Sequence, residues 1–244
     1  MSTLSVILIT KNEANRIEKT LRSIAFADEI IVVDSGSTDN TVEICKRYRA
    51  SVFEYKDWLG FGLQKQRALS HASCDWIFSI DADEVVSEQL KSSILGVIKE
   101  VRFSAYKIRR RLIFLNKKIK HACGEEKILR LAKRQYAYFD DNKVHEAMHI
   151  AGKTGLLDGI LWHDSFASIQ AMVAKLNQFT SLSAESNQQK NKKPSFAKAV
   201  LRSGWMFFRV YFLQRGFLDG APGFIFSYYF AEHTYYKYVK TLFD

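Results

Sequence analysis

The chain has few of the residues that mark disulfide-rich, fibrous or low-complexity proteins. Its 244 residues include only three cysteines and two prolines. Cys45, Cys74 and Cys123 are an odd number without close spacing, which predicts reduced thiols rather than a disulfide framework or a zinc ribbon. Proline-rich linkers, low-complexity tracts and internal repeats are absent from the sequence. These absences indicate a globular protein of a reducing compartment, and we expect it to be cytoplasmic.

Long hydrophobic runs are also missing. The N-terminal segment MSTLSVILITKNE has a short apolar run without a basic leader or a small-residue cleavage site, which predicts a buried first strand rather than a signal peptide. The longest apolar stretches, near residues 210–213 and 221–231, are shorter than the ~20 residues that span a bilayer. We therefore expect no transmembrane helix.

Acidic residues are the minority among the charged ones. The chain has 36 lysines and arginines against 26 acidic residues, a formal net charge of +10. Such an excess favours a polyanionic partner, which could be nucleic acid, anionic lipid or a phosphorylated glycan. Sixteen of the thirty-three aromatic residues lie between Phe196 and Phe243. The C-terminal part is therefore both basic and aromatic.

Short β-branched runs alternate with amphipathic segments in the first eighty residues. Residues 4–9 predict a strand and residues 13–24 a helix, and the same pair recurs at 29–33 and 40–48. Residues 76–80 predict another buried strand. Alternation at these lengths predicts an α/β fold with a doubly wound, mostly parallel sheet that binds ligands at the carboxyl ends of its strands.

The pattern loosens after residue 87 and changes after residue 186. Residues 105–115 alternate as a strand does, and 127–131 predicts a shorter strand. The segment NQQKNKKP, residues 187–194, predicts a polar hinge before a helical, amphipathic tail. We therefore predict an α/β catalytic domain over residues 1–186 and a basic, aromatic helical appendage over residues 187–244.

Two carboxylates separated by one small residue follow the strand at 76–80. Asp81 and Asp83 of the segment SIDADE offer the hard oxygen ligands that Mg²⁺ or Mn²⁺ prefers, and these ions usually keep positions for phosphate oxygens. An isolated Asp-x-Asp pair is more often a surface turn. Its position at a strand end, after two strand–loop–helix units, favours a metal site.

Polar residues also follow the first two strands. Thr10, Asn12 and Glu13 end the first, and Asp34 ends the second. Each loop could simply cap the helix that follows it. Together the loops would surround one crevice, where Asp34 has the position from which an acid accepts hydrogen bonds from a base or ribose.

These segments, taken in order, resemble a known enzyme family. LSVILITKNE, EIIVVDSGSTDNT, QKQRAL and DWIFSIDADE are similar to the successive signatures of the family 2 nucleotide-sugar glycosyltransferases, which have the GT-A fold. KVHEAMHI, LWHDS and QRGFLDGAPGF resemble the bacterial subgroup that adds glucose to the first heptose of the lipopolysaccharide inner core. The resemblance covers most of the chain. It implies a metal-dependent inverting transferase that moves a hexose from UDP-glucose to a lipid-linked glycan.

The resemblance also implies roles for individual residues. Asp83, with Asp81 nearby, would hold Mg²⁺ or Mn²⁺ and the diphosphate, where the cation would neutralise the charge of the leaving group. The residues that would bind the nucleotide sugar are Thr10, Asn12, Glu13, Asp34, Arg67 and Asp81.

An inverting transfer needs a carboxylate that deprotonates the acceptor hydroxyl. Glu146, in KVHE, is the preferred candidate, and Glu125, Glu126 and Asp141 are its rivals.

Two histidines, His145 and His163, have two interpretations. They are either partly buried and hydrogen-bonded for structural reasons, or one of them approaches the metal or the diphosphate.

Two other functions compete with this interpretation. His145, Glu146 and His149 spell H-E-x-x-H, the zinc-protease signature, which requires both histidines on one helix face and a third ligand from elsewhere. No third histidine follows at the spacing of that family. A nucleic-acid-binding protein would fit the charge and the C-terminal aromatics, but no recognised nucleic-acid module is present.

Aromatic and basic residues recur at helical spacing in the C-terminal tail. This stripe either packs on the rest of the chain, as most amphipathic helices do, or lies in the interface of an anionic membrane. A lipid-linked acceptor favours the second interpretation, so we expect an enzyme peripheral to the inner membrane. The residues concerned are Leu201, Trp205, Phe208 and Phe212, beside Lys198, Arg202, Arg209 and Arg215.

Overall fold

The computed structural model describes residues 2–114, 117–122, 124–140, 148–150, 152–166, 168–191 and 194–243. Strands and helices alternate along the first hundred residues, as predicted. In chain order these elements are β1 (Leu4–Thr10), α1 (Ile17–Ser23), β2 (Glu29–Asp34), α2 (Thr41–Arg47), β3 (Ser51–Glu54), α3 (Phe61–His71), β4 (Trp76–Ser79), β5 (Glu84–Val86) and α4 (Glu88–Lys99).

The next part of the chain is mainly strands. It contains β6 (Ala105–Phe114), β7 (Lys117–Lys118), β8 (Glu126–Lys133), β9 (Tyr138–Phe139), β10 (Met148–His149) and β11 (Thr154–His163). The main sheet has the order β3-β2-β1-β4-β8-β6-β11-β5, β7 pairs with β6, and β9 and β10 form a separate pair.

Strands β3, β2, β1 and β4 are parallel to one another. The pairs β4–β8, β6–β8 and β5–β11 are antiparallel. In the parallel part the last residues of β1 and β2, Thr10 and Asp34, are register partners. The carboxyl ends of these strands therefore meet at one edge of the sheet, as the sequence predicted.

Helices cover both faces of the parallel strands. On β1, Leu4, Val6 and Leu8 belong to a core cluster with residues of α1, α2 and α4, whereas Ile7 and Ile9 belong to a second cluster with residues of α3. Successive side chains of a strand point to opposite faces, so burial on both faces explains the continuous apolar run of β1. The predicted α/β, doubly wound fold class is confirmed.

By its contacts the chain divides into two units. The first comprises Met1–Arg110 and Glu125–His163, and the second comprises Arg111–Gly124 and Asp164–Asp244. The boundary predicted after residue 186 falls inside helix α5. The contacts do not show which residues form a catalytic domain and which an appendage, so that functional division stays a prediction.

The second unit contains the predicted C-terminal helices. They are α5 (Ile169–Gln189), α6 (Phe196–Phe208) and α7 (Ala221–Phe243), with a π-helical turn at Arg209–Leu213 and a 3₁₀ turn at Gly216–Asp219. Ser168 and Ser195 cap α5 and α6 by accepting a backbone N–H three residues on. Among the helices that the structure describes, none is both long and apolar enough to cross a membrane.

A buried carboxylate organises the second unit. The oxygens of Asp219 accept the backbone N–H groups of Lys120, His121 and Ala122 at 3.1, 2.9 and 2.9 Å, and Oδ1 lies 3.0 Å from Nδ1 of His121. Burial, the largest influence, raises the pKa of Asp219, but the hydrogen bonds from Ala122, His121 and Lys120 outweigh it and lower that pKa below its ordinary value. The ionised carboxylate is therefore part of the folded structure.

Replacing Asp219 with asparagine should lower the free energy of unfolding by about 2–4 kcal/mol at pH 7, because the amide has one acceptor oxygen for these donors and turns its own N–H₂ toward them. The pKa of Asp219 is lower in the folded than in the unfolded state. Its contribution is therefore complete above the unfolded carboxyl pKa of about 4 and is lost as the pH falls through the folded value.

Urea unfolding of wild type and Asp219→Asn at pH 7, and again below pH 4, measures this contribution. The exposed Asp158 supplies the control, since Asp158→Asn should change stability by less than about 1 kcal/mol. Equal stability of wild type and Asp219→Asn at pH 7, or a difference that persists unchanged in acid, would contradict the assignment.

Candidate active site

The loops that follow β1 and β2 are joined by hydrogen bonds. The backbone N–H of Asn12 donates to Oγ of Ser37 at 2.9 Å, and Oδ1 of Asn12 accepts the N–H of Thr38 at 2.8 Å. The N–H of Glu13 donates to Oγ1 of Thr41 at 2.8 Å. Asn12 has a φ of 56°, in the left-handed region that asparagine tolerates better than most residues. The two loops therefore form one polar surface at the sheet edge.

Asp34 shapes the second of these loops. It is buried, and its Oδ1 accepts the N–H groups of Gly36 and Ser37 at 3.0 and 2.8 Å. Gly36 has a φ of 85°, which favours glycine at this turn. The structure thus brings Thr10, Asn12, Glu13 and Asp34 to the same edge, as expected for residues at the ends of parallel strands.

Asp81 lies between buried cations. Its carboxylate is 2.8 Å from Nζ of Lys65 and 2.5 Å from Nη2 of Arg130, and Nη1 of Arg110 is 3.9 Å away. Burial opposes ionisation of Asp81, but the charges of Arg130 and Lys65 outweigh it and hold the pKa of Asp81 well below its usual value. Asp81 is therefore a fixed, ionised carboxylate.

Glu84 completes this cluster. Its fully buried carboxylate lies 3.2 Å from Nη1 of Arg110 and 3.3 Å from Nη2 of Arg130, and it accepts the N–H of Asp81 at 2.9 Å. Lys65, Arg110, Arg130 and Glu84 were not predicted as site residues from the sequence. The two arginines come from β6 and β8, and no local motif signals that these strands place them next to the loop after β4.

Arg67, the predicted nucleotide-binding cation, has different neighbours from Lys65. Its guanidinium lies 2.5 Å from Oδ2 of Asp57, donates to Oε1 of Gln64 at 2.9 Å and covers the ring of Tyr55. Residues two apart on a helix point about 200° apart, so Lys65 and Arg67 cannot both face Asp81. The structure places Lys65 beside the carboxylate pair, and a nucleotide contact of Arg67 stays a prediction.

Asp83 faces a histidine and an arginine. Its Oδ2 lies 3.4 Å from Nε2 of His163 and 3.6 Å from Nη1 of Arg16. The pairing of β11 with β5 sets His163 opposite Glu84, which explains why the end of β11 lies next to the loop that carries Asp83. Burial is the main reason that the pKa of Glu13 is raised, and the nearby Asp83 raises it further against the effect of Arg16.

Asp83 and His163 are chemically suited to a divalent cation. Ligand atoms at about 2.1 Å on adjacent corners of an octahedron are about 3 Å apart, close to the separation of these two. Among the described residues no group of three or more His, Cys, Asp or Glu side chains could hold a metal. Such a cation would therefore take oxygens from its substrate or water, as Mg²⁺ usually does. Asp81 is less suited, because Lys65 and Arg130 already contact its oxygens.

Two of the four candidates for the general base, Glu125 and Glu126, are among the described residues. Glu146, Asp141 and His145 lie outside the described residues. Of the other rivals, Glu125 lies 3.3 Å from Nε of Arg109, and Glu126 lies 2.6 Å from Nη2 of Arg110. Both of these glutamates are thus engaged by guanidinium groups.

The second histidine of the H-E-x-x-H segment is on a strand. His149 belongs to β10, and its Nε2 lies 2.8 Å from Oδ2 of Asp140. A zinc protease needs both histidines of this motif on one helix face. The position of His149 therefore argues against that function.

The sequence is similar to known glycosyltransferases. The family model for glycosyl transferase family 2 matches residues 5–157. An uncharacterized glycosyltransferase of Rickettsia felis is 35% identical, with 98% of this chain and 89% of the relative covered. The lipopolysaccharide core biosynthesis glycosyltransferase LpsC of Rhizobium meliloti is 29% identical, with 96% and 93% covered.

A solved structure shows a similar fold. Staphylococcus aureus TarS, residues 1–349 in complex with UDP, gives a TM-score of 0.52 at 16% identity, over 87% of this chain and 73% of that one. This likeness concerns the fold alone. The family match covers more than half of the chain, and the Rickettsia relative covers nearly all of it. The chain therefore belongs to glycosyl transferase family 2 and is a glycosyltransferase.

Proposed function

We propose that the chain is a metal-dependent, inverting hexosyltransferase that transfers glucose from UDP-glucose to a heptose of the lipopolysaccharide inner core or to a similar lipid-linked glycan. The proposal depends most on one observation, the pairing of Asp83 with His163. This pair lies at the edge of the sheet where the loops that follow β1 and β2 begin. The similarity to LpsC over nearly the whole chain supports an acceptor of the lipopolysaccharide core.

The donor is proposed to bind at the loops after β1 and β2. Structures of TarS were solved with UDP and with UDP-GlcNAc, which supports a uridine nucleotide in a protein of this fold. Thr10, Asn12, Glu13 and Asp34 would contact the nucleoside. Glucose as the transferred sugar rests on the motifs KVHEAMHI, LWHDS and QRGFLDGAPGF.

The diphosphate is proposed to lie beside Asp83 and His163. These side chains would hold Mg²⁺ or Mn²⁺. When bound, such a cation neutralises the negative charge on the leaving diphosphate. Lys65 and Arg130 hold Asp81 in one orientation next to this pair. Asp81 would then offer its remaining acceptor positions to the hydroxyls of the donor sugar, which are hydrogen-bond donors.

The transfer itself requires one base. The acceptor oxygen forms a bond to the anomeric carbon while the bond from that carbon to the diphosphate oxygen breaks, so the configuration inverts. The acceptor proton passes to a carboxylate, for which we propose Glu146. Glu125 and Glu126 are weaker proposals, because their oxygens already contact Arg109 and Arg110. Asp141 stays a rival.

A donor panel tests this proposal. Purified protein is incubated with a heptose-containing core acceptor and with UDP-glucose, UDP-galactose, UDP-GlcNAc or GDP-mannose, each with Mn²⁺ or with EDTA, and nucleotide release is measured. We expect release to be fastest from UDP-glucose and to fall at least ~10²-fold in EDTA, since a divalent cation stabilises leaving-group charge by several kcal/mol. Release that is insensitive to EDTA would contradict metal dependence. Preference for another donor would reassign the sugar.

A further inference from the structure

One face of helix α6 and of the π-helical turn that follows it is apolar and exposed. Leu201, Trp205, Phe208 and Phe212 are spaced four, three and four residues apart, which places them on one side of the helix. Their exposed fractions are 73, 57, 45 and 49%. The rings of Trp205 and Phe208 are 5.9 Å apart, and those of Phe208 and Phe212 are 5.2 Å apart. These four residues, which we call the α6 face, form one continuous apolar surface.

Exposed apolar residues also occur in the turns that follow α6. Leu213, Phe217 and Leu218 are each about half exposed. The opposite side of α6 packs within its own unit, since Ala199 is buried and Oγ of Ser203 donates to the carbonyl of Ala231 in α7 at 2.8 Å. The packing of α6 on α7 therefore leaves the α6 face exposed.

Along the sequence, the charged residues of and around helix α6 have one sign. Between Glu185 and Asp219 the sequence has seven lysines and arginines and no acidic residue. Lys198 and Arg209 are exposed and lie next to the α6 face along the helix. Asp219 itself is turned inward to backbone N–H groups. The exposed surface is thus apolar in its centre and basic at its margin.

We propose that the α6 face lies in the interface of an anionic lipid bilayer, with its rings at the boundary of the acyl chains and with Lys198 and Arg209 at lipid phosphates. Large exposed apolar patches mark protein or membrane contacts. An amphipathic helix with aromatic residues on one face and basic residues beside it is suited to an anionic membrane surface. Helix α6 has 13 residues, so it would lie on the bilayer rather than cross it.

The charge pattern favours lipid over a second copy of the chain. In a symmetric dimer the same patch would face itself, and the basic margins would repel each other. Anionic lipid instead supplies the opposite charge along the whole margin. The benefit to catalysis rests on the proposed function, because a lipid-linked acceptor and the enzyme would be confined to one surface.

Sedimentation with vesicles tests the proposal without donor or acceptor. We expect the protein to pellet with vesicles of phosphatidylcholine and phosphatidylglycerol, to stay in solution with pure phosphatidylcholine, and to bind more weakly as salt rises. The double variant Lys198→Glu/Arg209→Glu should bind at least ~10-fold more weakly. Its fold should survive, because a glutamate at position 198 suits the capping contact with Ser195.

Matched variants separate local from general charge effects. Arg102 and Lys153 are exposed basic residues of the first unit, and Arg102→Glu/Lys153→Glu makes the same change in net charge. This control should bind vesicles as wild type does. Equal loss of binding in both double variants would overturn the assignment to the α6 face, as would equal binding of wild type to neutral and anionic vesicles.

Quenching of tryptophan fluorescence by brominated acyl chains tests the position of the rings. Quenching should be lost in Trp205→Phe and kept in Trp58→Phe, which removes another exposed tryptophan. The proposal would be overturned if wild type did not bind vesicles and instead formed a salt-insensitive dimer that Trp205→Ser dissociates. That result would assign the α6 face to contact with a second copy of the chain. Vesicle binding by a protein that releases no nucleotide would reject the proposed function and leave this inference standing.

Discussion

Asp83→Asn should reduce sugar transfer at least ~10³-fold. Asparagine keeps the shape of the side chain but lacks the negative charge that a divalent cation requires next to the diphosphate. Losing the stabilisation that such a cation gives to leaving-group charge costs several kcal/mol, which corresponds to this factor. The ratio kcat/KM, measured across a titration of Mn²⁺, shows the loss and shows whether more metal restores activity.

The unfolding free energy of Asp83→Asn distinguishes lost chemistry from lost folding. Asp83 contacts His163 and Arg16 at 3.4 and 3.6 Å, which are long contacts, so we expect a change of less than about 1 kcal/mol. Asp158→Asn, on the exposed part of β11, is the matched control and should retain full activity. If Asp83→Asn keeps activity within severalfold of wild type, Asp83 does not hold the metal.

Glu146→Gln should lower turnover by ~10²–10⁴-fold while the affinity for UDP-glucose is unchanged, because the substitution removes a positioned general base and little else. Turnover is measured with saturating donor and acceptor, and donor affinity is measured by calorimetry. Unchanged donor affinity is the feature that separates this variant from Asp83→Asn.

The rival carboxylates are tested in the same way. Glu126→Gln should leave the chemical step intact, since Oε2 of Glu126 accepts the guanidinium of Arg110 at 2.6 and 3.0 Å. Asp141→Asn is the second comparison. If either variant shows the loss of turnover with intact donor affinity, and Glu146→Gln does not, then the base is misassigned.

The parallel half of the fold could be predicted from sequence because its signals are local. β1, β2 and β4 are short apolar runs, and each is followed by polar residues that topology brings to one edge. The positions of Thr10, Asn12, Glu13 and Asp34 relative to one another follow from that rule alone. The strand at Ala105–Phe114 was also evident from its alternation.

The cluster around Asp81 could not be predicted, because it depends on strand order. β8 lies between β4 and β6, so Arg130 and Arg110 reach the loop after β4 from positions far along the chain. Whether Lys65 or Arg67 faces Asp81 depends on how α3 is rotated about its own axis. The motif QKQRAL alone does not specify that rotation. A helical wheel of α3 contains the signal, since Lys65 lies on the side that also carries the buried Ala68 and Leu69.

The tail shows a different limit. Its amphipathic pattern predicted helices and a basic, aromatic stripe, but a pattern does not tell whether an apolar stripe is covered. The structure shows that Ala199 and Val210 are buried while Leu201 and Trp205 are exposed. That difference between the two sides of α6 supplies the reason to propose a membrane contact.

The most direct test of the proposed function is the complete reaction with UDP-glucose and a purified heptose-containing core acceptor, followed by mass spectrometry and NMR of the product. We predict that the acceptor gains one hexose in the presence of Mn²⁺ and none in EDTA, and that the anomeric proton shows the configuration opposite to that of the donor. A product with the donor's configuration, or equal transfer with and without metal, would contradict a metal-dependent inverting transfer at Asp83.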